Sequence, residues 1–173
     1  MRQKTCIFLI LFILSCALPA FSHAASADSL YSSGAAKKID PARQSIFGPQ
    51  SGRFRYDKRM IRAAEIAAAR ARKHSTSRCW RYVKDALLAA DAVETRPVTI
   101  YAKQAAAELT SQHGFRKIRE RNPYKAPLGS VIVYGGRGAG HVEIRTTKGF
   151  VSDFGSSKPS SRPLIGIYIK PRA

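Results

Sequence analysis

Gly129-Ser-Val-Ile-Val-Tyr134, then His141-Val-Glu-Ile-Arg145 and Gly149-Phe-Val-Ser-Asp-Phe154, is the stretch where this chain changes character. β-Branched and aromatic residues dominate, Val142 and Ile144 share one face with His141 on the other, and Lys148-Gly149 signals a turn, which predicts strands. Residues 164–169 predict a closing strand. Upstream, from residue 58 to residue 111, the periodicity is helical. Helices first and strands later, with short connections, predict an α+β fold whose N-terminal helices pack on an antiparallel sheet.

The helical half divides into three segments. Asp57 is placed to cap a helix over residues 58–73, where Met60, Ala64, Ala67 and Ala71 form a thin apolar stripe opposite Arg59, Arg62, Arg70 and Arg72. Ser75-Thr76-Ser77 offers N-caps for a second helix over residues 78–90, with Val83, Leu87 and Leu88 as its apolar face. A third helix is expected over residues 100–111, with Thr99 as its cap and Gly114 in the left-handed position past its end.

Cys79 falls in the first turn of the second helix. Free N–H groups and the positive end of the helix dipole stabilise a thiolate there, and Arg78 and Arg81 add positive charge. Its solitude adds to the interest. Cys6 and Cys16 lie in a segment with Arg2 and Lys4, an apolar run from Cys6 to Leu18, Pro19, and small residues at Ser22 and Ala24. Residues 1–24 therefore read as a cleavable signal peptide, too short in its apolar run to span a bilayer comfortably. Ile13-Leu14-Ser15 ahead of Cys16 is only a loose lipidation signal, since Leu14 is bulky. After cleavage Cys79 has no partner in a compartment where cysteines pair, which points to a thiol kept for reactivity or to an inert core cysteine.

The formal charge is +19, and removing Arg2 and Lys4 with the signal leaves +17. Between Lys37 and Arg78 stand 12 Lys and Arg against Asp40, Asp57 and Glu65. Residues 25–56 are rich in small and polar residues and are expected to form a flexible basic tail, docked at most through Phe47, Phe54 and Tyr56. Such charge suits an anionic envelope polymer. Export and the lack of any reading motif argue against a specific nucleic-acid partner.

A nucleophilic cysteine needs a base, and the base an orienting group. His74 lies in the link before the Cys79 helix, and His113 at a helix end, where a cationic cap explains it. His141 opens a strand after the glycine-rich run 135–140. A strand follows those glycines, so they are no phosphate loop; their smallness is expected to let a substrate backbone approach His141. A hairpin centred on residue 147 would set Asp153 opposite His141, and a change of one residue in the turn would rotate it away. Glu143, two residues along the His141 face, is the competing orienter. The histidines lack zinc-ligand spacing, so neither metal nor cofactor is expected.

Taken in order, Arg78-Cys-Trp-Arg-Tyr-Val83, Pro127-Leu-Gly-Ser-Val-Ile-Val-Tyr134, Gly140-His-Val-Glu-Ile144 and residues 164–171 resemble the CHAP amidohydrolases and the NlpC-type, papain-like cysteine peptidases. The resemblance spans residues 75–171 and implies a papain-like domain over residues 57–173 with Cys79 as nucleophile, His141 as base and Asp153 as third member. Trp80, Tyr82, Tyr134 and Gly140, within the same motifs, are the expected substrate-binding residues. The implied activity is that of an exported, monomeric cysteine amidase or endopeptidase cutting amide bonds of peptidoglycan in the periplasm or outside the cell. An acyl- or peptidyl-transferase on the same scaffold, or a basic wall-binding protein without catalysis, are the alternatives. Glu143 departs from the family, which commonly has a small residue there, and no wall-binding repeat accompanies the domain.

Overall fold

The computed structural model describes residues 55–172; the signal peptide, the lipidation signal and residues 25–54 of the tail lie outside the described residues. Three α-helices precede a six-stranded, wholly antiparallel sheet: α1 (Arg59–Arg70), α2 (Cys79–Ala89) and α3 (Ala105–Gln112), then β1 (Arg116–Lys117), β2 (Val131–Tyr134), β3 (His141–Thr146), β4 (Gly149–Val151), β5 (Gly155–Ser156) and β6 (Leu164–Ile169). The strand order is β1-β6-β2-β3-β4-β5. This is the expected α+β architecture.

α1 begins where Asp57 Oδ1 accepts the Arg59 N–H at 2.9 Å, satisfying one of the donors a helix start leaves over. Met60, Ala63, Ala64 and Ala67 form its buried stripe. Alanines keep that stripe thin, so the backbone of the following layer comes close. A Cβ at Gly129, which has φ +79°, would stand 2.5 Å from the Met60 carbonyl, so only glycine fits there. Tyr56 bridges to Pro171, so the last tail residue already belongs to the domain.

α2 buries Trp80, Val83, Ala86 and Leu87. Each fully buried Val or Leu contributes about 1.5–3 kcal/mol over leaving it exposed. Leu88, expected on the same face, is instead exposed. The spacing of Val83 and Leu87 sets the buried line, and Leu88 falls one step around the helix from it. The third helix starts later than expected, as a single 3₁₀ turn at Ala102–Gln104 leading into α3. Thr99 does not cap it; Tyr101 N–H donates to Gln104 Oε1 at 2.9 Å instead. Gly114 takes the expected left-handed conformation at φ +71°. His113 corrects its reading as a cationic cap: it is buried, and burial holds it below its ordinary pKa of 6.5, favouring the neutral ring.

The sheet carries apolar side chains on both faces. Val131, Val133, Val142, Ile144, Val151 and Tyr168 meet the helices. Ile132, Tyr134, Phe150, Ile167 and Ile169 form a second cluster with Ile118 and Ala126 on the opposite face. β2 is therefore buried along its whole length, as its unbroken Val-Ile-Val-Tyr run allows for a central strand.

Candidate active site

The start of α2 and the start of β3 hold the candidate residues Cys79 and His141. Cys79 is the first helical residue and is half-buried. None of Ser75, Thr76 or Ser77 caps this helix through its own side chain, contrary to the sequence expectation. Asp153 takes that place from across the fold. Its Oδ2 accepts N–H groups from Thr76 at 2.5 Å and Arg78 at 3.2 Å, and the Thr76 hydroxyl at 3.0 Å. Ser77 between them sits in the left-handed region at φ +58°, which turns both N–H groups toward one anion. Burial opposes the charge on Asp153, but these donors outweigh it and hold the carboxyl below its ordinary 3.8.

Asp153 is thus not the orienter of His141. The β3–β4 register pairs Thr146 with Gly149 and Ile144 with Val151. The hairpin centre lies between Thr147 and Lys148, not on residue 147, and the ladder ends at Val151, so Asp153 lies past it in the turn before β5. Glu143 is the residue beside the imidazole: His141 Nε2 lies 3.4 Å from Glu143 Oε2, and both side chains are largely buried.

Glu143 is itself held. The Tyr134 hydroxyl donates to Glu143 Oε1 at 2.5 Å, with Ser160 N–H at 3.4 Å from the same oxygen. Burial, followed by the charge of Glu143, raises the Tyr134 pKa, so the phenol stays protonated and remains a donor. At His141 burial disfavours the charged ring, but hydrogen bonding with Cys79 and Glu143, and their negative charge, prevail and raise it to about 9. Imidazole, carboxylate and phenol form one chain of contacts, with Cys79 among the groups that raise the ring.

Nothing matches this chain among protein-family models or curated proteins. Among solved structures its fold has a counterpart. A chain of the type VI native effector–immunity complex Tae3–Tai3 from Ralstonia pickettii superimposes with a TM-score of 0.53 at 23% identity, over 65% of this chain and 98% of its own. At that identity the likeness shows the fold and nothing finer. A chain of the selenomethionine form of the same complex gives a TM-score of 0.45 at 28% identity, over 54% of this chain and 80% of its own.

The four expected substrate-binding residues are placed differently from one another. Trp80 is buried, and its indole N–H donates to Thr99 O and Oγ1, both at 3.1 Å, so it supports the site rather than lining it. Tyr134 is buried against Glu143 and has no surface to offer a ligand. Gly140 (φ +76°) has no room for a Cβ, which would stand 2.5 Å from Tyr134 O and 2.8 Å from Lys103 Cβ. Its smallness serves the chain's own packing, not the approach of a substrate. Tyr82 is half-buried, with its hydroxyl accepting from Arg72 Nε at 2.5 Å.

One exposed apolar segment escaped the sequence reading. Val98 and Ile100 are 77% and 82% exposed, and Tyr101 is half exposed. This segment is fastened to α2 through Thr99, which accepts from Trp80 and, at 2.5 Å, from Lys84 Nζ. Buried Glu108 on α3 receives the Val98 N–H at 2.5 Å and the Thr99 hydroxyl at 2.5 Å. An acid between Ala105 and Leu109, on the buried face of a helix, was the available signal. Among the described residues no group of His, Cys, Asp and Glu is arranged to hold a metal.

Proposed function

We propose that this protein is an exported, papain-like cysteine hydrolase that cuts amide bonds in peptidoglycan. The observation that carries the reading is the meeting of Cys79, at the start of α2, with a His141 ring held by Glu143. The fold likeness to a chain of an effector–immunity complex supports it, since a wall-cutting enzyme suits an effector that needs an antidote.

In this reading Cys79 Sγ attacks the carbonyl carbon of the scissile amide. The developing oxyanion meets the Cys79 N–H, which as a first-turn donor has no intrahelical acceptor. His141, protonated in its pair with the thiolate, gives its proton to the leaving amine, and a thioester remains on Cys79. Water then attacks the thioester carbonyl, His141 takes its proton, and the acid leaves as the thiol pair is restored. Glu143 orients the ring and stabilises its charge, the part usually played by the third member of such a triad.

Mass spectrometry of fragments released from purified peptidoglycan tests this. New amine and carboxyl termini are expected with the native chain and none with Cys79→Ser. Identical fragments from both would sink the reading.

A further inference from the structure

At the end of the sheet where β3 begins, Tyr134 pairs with His141 on one side and with Leu164 on the other. The chain leaving β1 continues along β6 toward this same end, with Ile118 N–H donating to Ile167 O at 2.9 Å. Beyond it a groove of about 300 Å³ opens, lined among others by Lys117, Arg119, Arg121, Leu164, Ile165 and Gly166. Lys117 lies over Gly166, where a Cβ would stand 2.6 Å from Lys117 Cε.

The groove lining carries three cations against one carboxylate. The ion pairs of the described residues are Arg59–Asp57, Arg62–Asp91, Arg96–Asp85 and His141–Glu143, and none includes a groove cation. The one carboxylate in its lining, Glu120, accepts the N–H groups of Arg121 at 2.9 Å and Asn122 at 2.7 Å and forms an ion pair with none of the three cations, which leaves the lining net positive. Arg137 and Arg162, joined by an Arg162 Nη1 to Arg137 O bond of 3.1 Å, add charge at the same end. Leu164 and His141 are two strand spacings apart, roughly 10 Å, or about three residues of extended peptide.

We propose that this groove is a carboxylate-binding subsite, taking the acidic side chains of an extended peptide whose scissile amide lies at Cys79. It rests on the hydrolase reading for the placement of that amide. Guanidinium forks match carboxylates in shape, and the apolar floor of Leu164 and Ile165 suits a peptide's aliphatic portions.

The test is fluorescence anisotropy of a labelled oligoglutamate peptide with the full chain at low salt. Combined Lys117→Gln, Arg119→Gln and Arg121→Gln should weaken binding about tenfold, from three exposed charge contacts of modest size each. A charge-matched control, Arg55→Gln with Arg116→Gln and Lys148→Gln, should bind as the native chain does. Equal weakening in both variants would overturn the proposal in favour of net charge, and unchanged binding in the groove variant would overturn it outright. An oligoglutamine peptide that binds as tightly as oligoglutamate also overturns it. Hydrolysis plays no part in this readout, so a native chain that leaves peptidoglycan uncut counts against the hydrolase reading alone.

Discussion

His141 and Glu143 stand on one face of one strand, and the carboxylate reaches the ring at 3.4 Å from two residues along. Side chains at i and i+2 of a strand share a face by construction, so no turn geometry is needed to bring them together. The orienting contact is local, and it does not depend on hairpin register.

Glu143→Gln is therefore expected to lower turnover and to move its pH dependence. His141 lies at about 9 in the native fold, with Glu143 among the groups that raise it. The alkaline limb of kcat/KM should fall near pH 9 in the native chain and lower in the variant. Loss of rate with an unmoved limb would remove Glu143 from the role of orienter.

The same shift has a sign for stability. A histidine whose folded pKa is raised from 6.5 to about 9 contributes stability that is full below the unfolded value and is lost as pH rises through about 9. Thermal melts should show the native chain losing stability across that interval relative to His141→Ala.

Tyr134→Phe deletes the donor at 2.5 Å and leaves Glu143 Oε1 with only the long contact from Ser160. A buried carboxylate oxygen deprived of its donor costs about 1–3 kcal/mol. Denaturant unfolding should report that loss, accompanied by reduced turnover and little change in KM.

Asp153→Asn weakens the acceptor for Thr76 and Arg78 and should cost a similar 1–3 kcal/mol or so. The native carboxyl sits below 3.8, so its stabilisation is present above the unfolded value and lost as pH falls through the folded one. The stability gap between native and variant chains should close in acid. A pH-independent gap would mean that shape rather than charge matters at this position.

Gly140→Ala puts a Cβ against Tyr134 O and Lys103 on a backbone that side chains rarely adopt, at roughly 1–2 kcal/mol for the left-handed conformation alone. Because His141 is the next residue, turnover should drop further than the melting temperature does. Equal loss of both would confine Gly140 to packing.

The layout of helices and strands was legible because it is written in local periods: α1's alanine stripe, the β-branched run of β2 and the last strand. The positions of Cys79 and His141, each at the start of an element, were legible for the same reason. What failed was everything that depends on a turn or on distance in sequence. The Thr147-Lys148 turn moved the hairpin centre by half a residue, and the ladder ended at Val151, short of Asp153. Trp80 and Tyr134 looked like ligand contacts, yet they are claimed by Thr99 and Glu143, partners that no local pattern announces.

The bond from Asp153 to the backbone ahead of Cys79 spans 75 positions of sequence at Arg78. It makes the thiol's seat and the imidazole's hairpin a single joint. A nascent chain that has formed only its helices holds a sulfur with no companion, and an isolated sheet holds a ring with nothing to activate. In the proposed hydrolase, sulfur and ring would meet only once that joint is closed.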